Sequence, residues 1–459
     1  MIARDEESSI GQTIKSALAI VDEIIVGDTG SEDNTRLIAE GYGAKVVNVP
    51  WDDDFAAARN AVLEVASSDW ILILDADERL QPVRPVEFQK LLADDGVAGY
   101  RLEIQAAETP DGSRADNQIR LFRNHPYVRF CYPVHDTIEI ALENWATARQ
   151  LSIEACRLKV QHDSGDGVRA TARHDRNRRL LRDAWREYPY EPYFAYRLMT
   201  ESVTSLEDEA LPQSGLGKSC EQIAKAWSIV EGMSANQVSE LTYGPDLAGM
   251  LSAMSIALGH SQQALDTVWS GIEIFPDSKL LLFRRAAAIT RHIESGEKAG
   301  LTAATIVNLR RLAERDLDDC LASAANGRHD ERWLWLWPWR YKAELALMDG
   351  QAKRALQYFQ KALDLDPDYS HAWSGKARCF STQGEERRAL GLYLRAVTLN
   401  ELNVTAWLQG SEILEILGFT DNARSWQRRA QDLFPESPAF AGERPWLTDL
   451  LSTALEPTS

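Results

Sequence analysis

The sequence predicts an α/β domain with a largely parallel sheet, followed by an all-α repeat domain. Two observations carry this. Over the first ~105 residues, short β-branched runs alternate with amphipathic helical stretches, which is the pattern of strands joined by helical crossovers. Towards the C-terminus, small residues and glycines recur at a fixed step of 34 positions, the period of paired-helix repeats.

The elements follow in order. "DEIIVGDTG" (Asp22 to Gly30) is a β-branched run closed by turn residues and reads as a strand. Ser31 to Gly43 opens on Ser and Asp and ends at glycines, so it reads as a helix with both end signals. "AKVVNVP" is a second strand. Phe55 to Ala66 reads as a helix with Phe55, Ala58, Val62 and Val65 near one face. "WILILDAD", from Trp70, is apolar on both faces, as expected of a strand in the middle of a covered sheet. From Tyr100 to about His162 the pattern is strand-rich, including "YVRFCYPVHDTIEI". Arg169 to Tyr188 reads as an amphipathic linker helix whose arginine run is a solvated face.

In the C-terminal part Gly350, Gly384 and Gly418 share the 34-residue step, as do Ala355, Ala389 and Ala423, and Ala362, Ala396 and Ala430. Pro367 and Pro435 are two steps apart, and Gly259, Ala264, Gly271 and Pro276 share the offsets of an earlier copy. This resembles tetratricopeptide repeats: small residues let paired helices approach, glycine makes the turn and proline ends the second helix. Trp333, Trp335, Trp337 and Trp339 alternate in "RWLWLWPWRY", either for packing between helices or for stacking on sugar rings. The expected layout is a catalytic domain at 1–165, a linker helix at 166–190, an irregular helical region at 191–330, repeats at 331–440 and a tail at 441–459.

Bulk properties narrow the function. The formal net charge of −19 argues against nucleic acid or an anionic membrane as main partner, since both need clustered Lys and Arg. No apolar run approaches the ~18 residues of a membrane span. The N-terminus is charged within five residues and lacks the apolar core of a signal peptide. Five scattered cysteines form no C-x-x-C pair, which points to a reducing, cytoplasmic setting.

The chemistry centres on Asp75 and Asp77. On an extended chain residues i and i+2 face the same side, so both carboxylates would converge beyond a strand end, where open α/β sheets bind ligands. The pair on its own reads either as a solvated turn or as a clamp for Mg²⁺ or Mn²⁺, ions that prefer carboxylate oxygens and share their shell with phosphates.

The ordered motifs around it resemble the GT-A glycosyltransferases of family 2, in the bacterial branch fused to tetratricopeptide repeats. They are Arg4-Asp5-Glu6-Glu7, "DTGSEDNT" (Asp28 to Thr35), "WDDDFAAARN" (Trp51 to Asn60), "DWILILDADE" (Asp69 to Glu78), "RLFRN" (Arg120 to Asn124) and Val134-His135-Asp136. The resemblance covers about residues 1–165 and implies a GT-A, Rossmann-like fold with a nucleotide-diphosphate sugar as donor and a divalent metal, Mn²⁺ or Mg²⁺, as cofactor. It implies that Asp28, Arg59, Asp75 and Arg120 bind the nucleotide sugar. Asp77, Asp75 and His162 are then the metal ligands, and Asp136, with His135 beside it, serves as catalytic base, Glu139 being the reserve. Two departures stand out. Asp136 stands where the family usually has Glu, and Ser164-Gly165-Asp166 departs from the pattern expected after His162. Only Met1-Ile2-Ala3 precede the first motif, so the first strand is expected to be short. The repeats are expected to present a protein or peptide acceptor or to join a homodimer. The rival reading is a repeat scaffold whose α/β domain keeps its fold with little activity.

Overall fold

The computed structural model describes residues 1–106, 115–162, 167–200, 216–239, 241–295, 300–324 and 332–433. The chain divides into two compact units, Met1–Glu187 and Tyr188–Ser459.

The first unit is α/β. Its elements are β1 (Ile2–Ala3), α1 (Ile10–Ala17), β2 (Ile25–Asp28), α2 (Thr35–Gly41), β3 (Lys45–Asn48), α3 (Phe55–Glu64), β4 (Trp70–Leu72), β5 (Glu78–Leu80), α4 (Pro85–Leu92), β6 (Val97–Ala106), β7 (Ala115–Arg123), α5 (Glu139–Thr147), β8 (Ser152–His162) and α6 (Gly167–Glu187). Strands β1, β2 and β3 form a parallel sheet in that order, with Ala3 opposite Asp28 and Asp28 opposite Asn48. The other five strands form a mixed sheet of order β4-β7-β6-β8-β5. β1 is as short as expected.

The run Trp70–Leu74 departs from expectation. It is not the centre of the parallel sheet; only Trp70–Leu72 is a strand, and it lies at the edge of the mixed sheet, antiparallel to β7. Its apolar character on both faces has the predicted cause. Ile71 and Ile73 enter one core layer with Phe122 and Leu142, while Leu74 enters another with Tyr100 and Leu121. Nor is the chain extended through the two aspartates. Glu78 N donates to Asp75 O at 3.0 Å, so Asp75 to Glu78 is a turn, and strand alternation does not set the directions of Asp75 and Asp77. The segment read as a strand around Tyr127 to Ile140 is an irregular loop with one bridge, Cys131 to Thr137, followed by α5. Its Pro133 has no N–H to give a ladder.

Helix α3 lies close on β2 because Gly27 has no side chain; a Cβ there would stand 2.5 Å from Val62 Cγ2. Asp54 caps α3 by accepting from Ala57 N at 2.8 Å, as expected of an acidic helix start.

The second unit is helical throughout its described residues. The 34-residue step corresponds to three helix pairs, Trp337–Met348 with Ala352–Leu365, Ser370–Ser381 with Glu386–Leu399, and Val404–Ile416 with Thr420–Leu433. Gly350, Gly384 and Gly418 make the turns at φ of 69°, 73° and 84°, a region that favours glycine. All six alanines of the two series are fully buried. The earlier copy pairs Gly244–Ala257 with Ser261–Ile274 through Gly259. Pro435 lies outside the described residues. The tryptophan run is helical, not alternating: Trp337 packs on Phe283 and Trp339 on Tyr358, which favours packing over sugar stacking.

Inside this unit Glu344 is buried and ion-paired to Arg340 at 2.9 Å and Arg291 at 3.0 Å. Burial alone would raise its pKa; Arg291, Arg340 and Arg378 reverse that and hold it at about 2. A depressed carboxylate contributes stability that is complete above its unfolded pKa and is lost as pH falls towards the folded one. Between pH 4.5 and 2 this group is therefore expected to give up about 3 kcal/mol. Urea melts across that range should show the stability difference between wild type and Glu344→Gln shrinking as the solution is acidified. A difference independent of pH would refute the assignment.

Candidate active site

The site is built where the C-terminal end of the parallel sheet meets the turn after β4. Two of the motifs prove to be each other's scaffold. Asp5 N donates to Ser31 Oγ, Glu6 N to Thr35 Oγ1 and Glu7 N to Asp33 Oδ2, while Glu32 N donates to Asp5 Oδ1 and Asn34 N to Glu7 Oε2. Their acidic residues thus satisfy backbone groups at the two loop ends. Asp28 belongs to the same frame. It is 2% exposed, accepts from Ser31 N at 3.1 Å and pairs with Arg36 at 3.3 Å.

The "ARN" end of the third motif reaches across the domain. Asn60 pins the backbone of Phe130 through both its amide atoms, at 2.9 and 2.8 Å. Arg59, one position earlier, donates from Nε to Asp136 Oδ2 and from Nη2 to Asp75 Oδ1, both at 2.7 Å. Arg120 continues the series, 3.5 Å from Asp75 and 2.7 Å from Glu78. Glu78 closes it by accepting from Asp75 N at 2.8 Å. The result is an alternating ladder, Asp136–Arg59–Asp75–Arg120–Glu78, in which each arginine is shared by two carboxylates.

The electrostatics follow from this arrangement. Burial alone would push the Asp75 carboxyl up, but Arg59 and Arg120 hold it well below the usual range. Asp136 moves the other way: burial raises it, Arg59 opposes, and the nearby Asp75 charge adds to the rise. Glu78 is also raised, by burial and by Asp75 against the pull of Arg120. Two acids one arginine away from a third are thereby kept at different proton affinities, the condition that separates a base from a fixed anion.

Asp77 faces away from the ladder. Its Oδ2 lies 3.4 Å from His162 Nε2 and 3.3 Å from Arg173 Nη2. The pairing of β5 with β8 sets this, because Glu78 stands opposite His162. The hydrogen bond to Asp77 raises the His162 pKa against the effect of burial. Arg59, Asp75, Asp77, His162 and Arg173 line one cleft of about 280 Å³, together with Thr29, Trp51 and Phe55. Asp28, Arg120, His135 and Asp136 do not line it. A larger cavity, about 640 Å³, is bounded by Ile25 and Ile71 to Ile73 and holds none of the ladder's charged groups. Of the two, the smaller cleft is the one that carries ladder residues, Arg59 and Asp75.

His135 and Asp136 sit in the loop closed by the Cys131–Thr137 bridge, which Phe55 N ties to α3 by donating to Pro133 O at 2.8 Å. His135 takes a φ of 53°, strained for a residue with a side chain and a marker of functional loops. Glu139 lies in the first turn of α5, paired with Arg101, apart from the ladder. Ser164, Gly165 and Asp166 lie outside the described residues.

As a metal site the set is open. Among the described residues no three His, Cys, Asp or Glu side chains converge on one point. Asp77 and His162 can hold a cation from two sides, whereas both oxygens of Asp75 already face arginines. Such a two-point site fits an Mg²⁺-like ion that completes its shell with water and phosphate.

Sequence reasoning overlooked Glu78, Asn60 and the arginines of α6. Glu78 ends a motif but has no signature of its own. Arg173, Arg176 and Arg179 were legible as an i, i+3, i+6 row, yet such a row also describes a solvated face. In the structure Arg173, Arg176 and Arg179 are exposed, as on a solvated face, and Arg173 and Arg176 also line the cleft.

Comparison with known proteins finds similarity in both parts of the chain. Residues 1–140 match the family Glycosyl transferase family 2, and residues 346–400 match the Tetratricopeptide repeat family. A TPR repeat-containing protein of Synechococcus elongatus is 41% identical over 145 residues, 31% of this chain and 35% of that protein. An uncharacterized glycosyltransferase of Rickettsia bellii is 36% identical over 125 residues, 27% of this chain and 40% of its own. A lipopolysaccharide core biosynthesis glycosyltransferase of Rhizobium meliloti is 31% identical over 134 residues, 27% of this chain and 49% of its own. The chain thus spans less than half the length of each of these relatives. Among the described residues no helix is long and apolar enough to cross a membrane. The chain thus carries, at residues 1–140, a segment similar to glycosyl transferase family 2, followed at residues 346–400 by one similar to tetratricopeptide repeats.

Proposed function

We propose that the N-terminal domain moves a sugar from a nucleotide-diphosphate donor to an acceptor with inversion at the anomeric carbon, assisted by a divalent metal. The observation that carries this reading is the ladder, which holds Asp136 raised and Asp75 depressed on the two sides of one guanidinium. In this reading Asp136 accepts the acceptor's proton as the oxygen attacks, and Arg59 fixes the direction of its carboxylate. Asp28 and Asp75 meet the nucleotide's ribose or base, and Arg120 positions Asp75 from behind. His135 sets the loop that carries Asp136. Asp77 and His162 hold the ion; when bound, it supplies Lewis-acid stabilisation of the departing diphosphate.

The acceptor is a protein, a peptide or a cell-surface glycan. The repeats support the first two, since such arrays bind extended chains. The Rhizobium relative's name supports the third. A second reading, a scaffold with a quiet catalytic domain, draws on the fact that Asp75, Asp77 and Asp136 each already face a cation.

Donor turnover in the presence of Mn²⁺ separates the two. Asp77→Asn is expected to lower metal-dependent hydrolysis or transfer by about a hundredfold or more, a loss typical of a removed transition-state charge contact, with the fold retained. Wild-type protein that turns over no nucleotide sugar from a panel of uridine, guanosine, cytidine and thymidine diphosphate sugars would favour the scaffold.

A further inference from the structure

Helix α6 follows the last strand, and three of its arginines form a row with different partners. Arg179 forks onto Asp53 at 2.7 and 2.9 Å, and Trp51 Nε1 donates to the same carboxylate at 2.9 Å. That pair fastens the helix to the segment leading into α3. Asp53 holds a φ of 55° there, a backbone cost that the fork helps to offset. With the helix so fixed, the next two arginines up the row reach the cleft.

Their situation differs from that of Arg179. Arg176 lies 4.9 Å over the ring of Phe55, and among the described residues its hydrogen bonds go to the neighbouring Asn177. Among the described residues no carboxylate stands within ion-pair distance of it. Arg173 touches Asp77 at 3.3 Å, but that oxygen is shared with His162. Arg4 lines the same cleft and has only Asp5, at 3.9 Å. In a chain with 69 acidic against 50 basic residues, this cleft gathers four arginines, Arg4, Arg59, Arg173 and Arg176, against three carboxylates, Glu6, Asp75 and Asp77. Desolvation by its neighbours and the charges of Arg173, Arg179 and Arg4 lower the proton affinity of the Arg176 guanidinium, although its side chain is exposed. An arriving anion would relieve that repulsion.

We infer that Arg173 and Arg176 of α6 form the anion site for the donor's diphosphate, facing Asp77 and His162 across the cleft. The inference rests on the transferase reading and adds to it the residues that meet the leaving group. Guanidinium forks match phosphate oxygens two at a time, and the ring of Phe55 holds the Arg176 plane in place without using any of its donors. Arg173 can reach the diphosphate only by leaving Asp77. When the sugar–oxygen bond breaks, its electron pair stays on the diphosphate oxygen, and the added charge falls beside these two guanidinium groups.

The test is calorimetric titration of the full chain with inorganic pyrophosphate, and with uridine, guanosine, cytidine and adenosine diphosphates, in excess Mg²⁺. R176Q and R173Q are expected to weaken pyrophosphate and the best nucleoside diphosphate by about tenfold or more, a loss of roughly 1.4 kcal/mol. R176K should retain part of the affinity. R186Q, on an exposed arginine of the same helix paired with Asp183, should leave binding unchanged, and circular dichroism should show equal helicity for all four. Wild-type binding with undiminished affinity in R176Q and R173Q overturns this inference and leaves the transferase reading standing. Failure of the wild type to bind pyrophosphate or any of the diphosphates overturns both.

Discussion

Replacing Arg59 by alanine is expected to abolish sugar transfer and to cost the chain about 3–5 kcal/mol, the usual penalty for leaving buried charges without their partner. Among the described residues Arg59 is the one group that touches both Asp75 and Asp136, at 2.7 Å each, and its side chain is only 12% exposed. Removing it would leave two carboxylates close together without their shared counter-charge. Protonation of one of them is the cheaper outcome, and Asp136, already raised, would take that proton. The variant would thus lose its base as well as its frame. Arg59→Lys is not expected to rescue. A single ammonium cannot direct two donors along the separate lines that Nε and Nη2 follow here. Arg59 also lies 5.5 Å over the ring of Phe130, whose backbone Asn60 holds, so the loss would spread into the loop carrying Asp136. Chemical denaturation together with donor turnover measures both effects. A stable Arg59→Ala protein with even a tenth of wild-type turnover would remove the ladder from the mechanism.

What was legible in the sequence depended on whether the signal was local. The strands at Ile25–Asp28 and Lys45–Asn48 and the 34-residue spacing are written in neighbouring residues, and they appear in the structure close to where they were read. The six alanines could be named in advance because a fixed period and a small side chain suffice to predict close helix packing. The strand Trp70–Leu72 was recognised by its apolar letters, but its partner was not, since strand pairing depends on residues such as Leu121 and Phe122, about fifty positions away. The aspartate pair was misjudged in one respect for the same reason. Alternation along an extended strand assumes that the strand continues, and here the Glu78 carboxylate folds back on Asp75 N and ends it. Glu78 had no assignable role in the sequence because its role is to complete a ladder whose other members come from α3, β7 and the loop before α5. The arginines of α6 were visible as a row, but their direction was set by Asp53, more than a hundred residues earlier. Long-range ion pairs built the site, and periodicity carries no information about them.

Asp136→Asn is expected to preserve the fold and donor binding while lowering transfer by about 10²–10⁴-fold, the range for loss of a general base. The substitution keeps the size of the side chain and leaves an oxygen to accept from Arg59 Nε. It removes the capacity to take a proton together with the negative charge that faces Arg59. Donor affinity should hold, because Asp136 does not line the cleft that Asp77, His162 and Thr29 enclose. The effect should therefore fall on kcat and leave the donor KM nearly unchanged. The pH profile supplies an independent check. A base works only when deprotonated, so activity should decline as pH falls through the pKa of Asp136, which burial and Asp75 place above the ordinary aspartate value despite Arg59. The acid limb of the wild-type profile should accordingly lie higher than an unperturbed aspartate would give, and it should vanish from whatever residual activity D136N retains. Asp136→Glu is the companion measurement. It supplies the longer carboxylate that the resemblance leads one to expect at this position, and partial activity would show that reach is adjustable while the charge is not. Transfer by D136N at the wild-type rate would move the base elsewhere, with Glu78, raised and hydrogen-bonded into the same ladder, as the next carboxylate to replace.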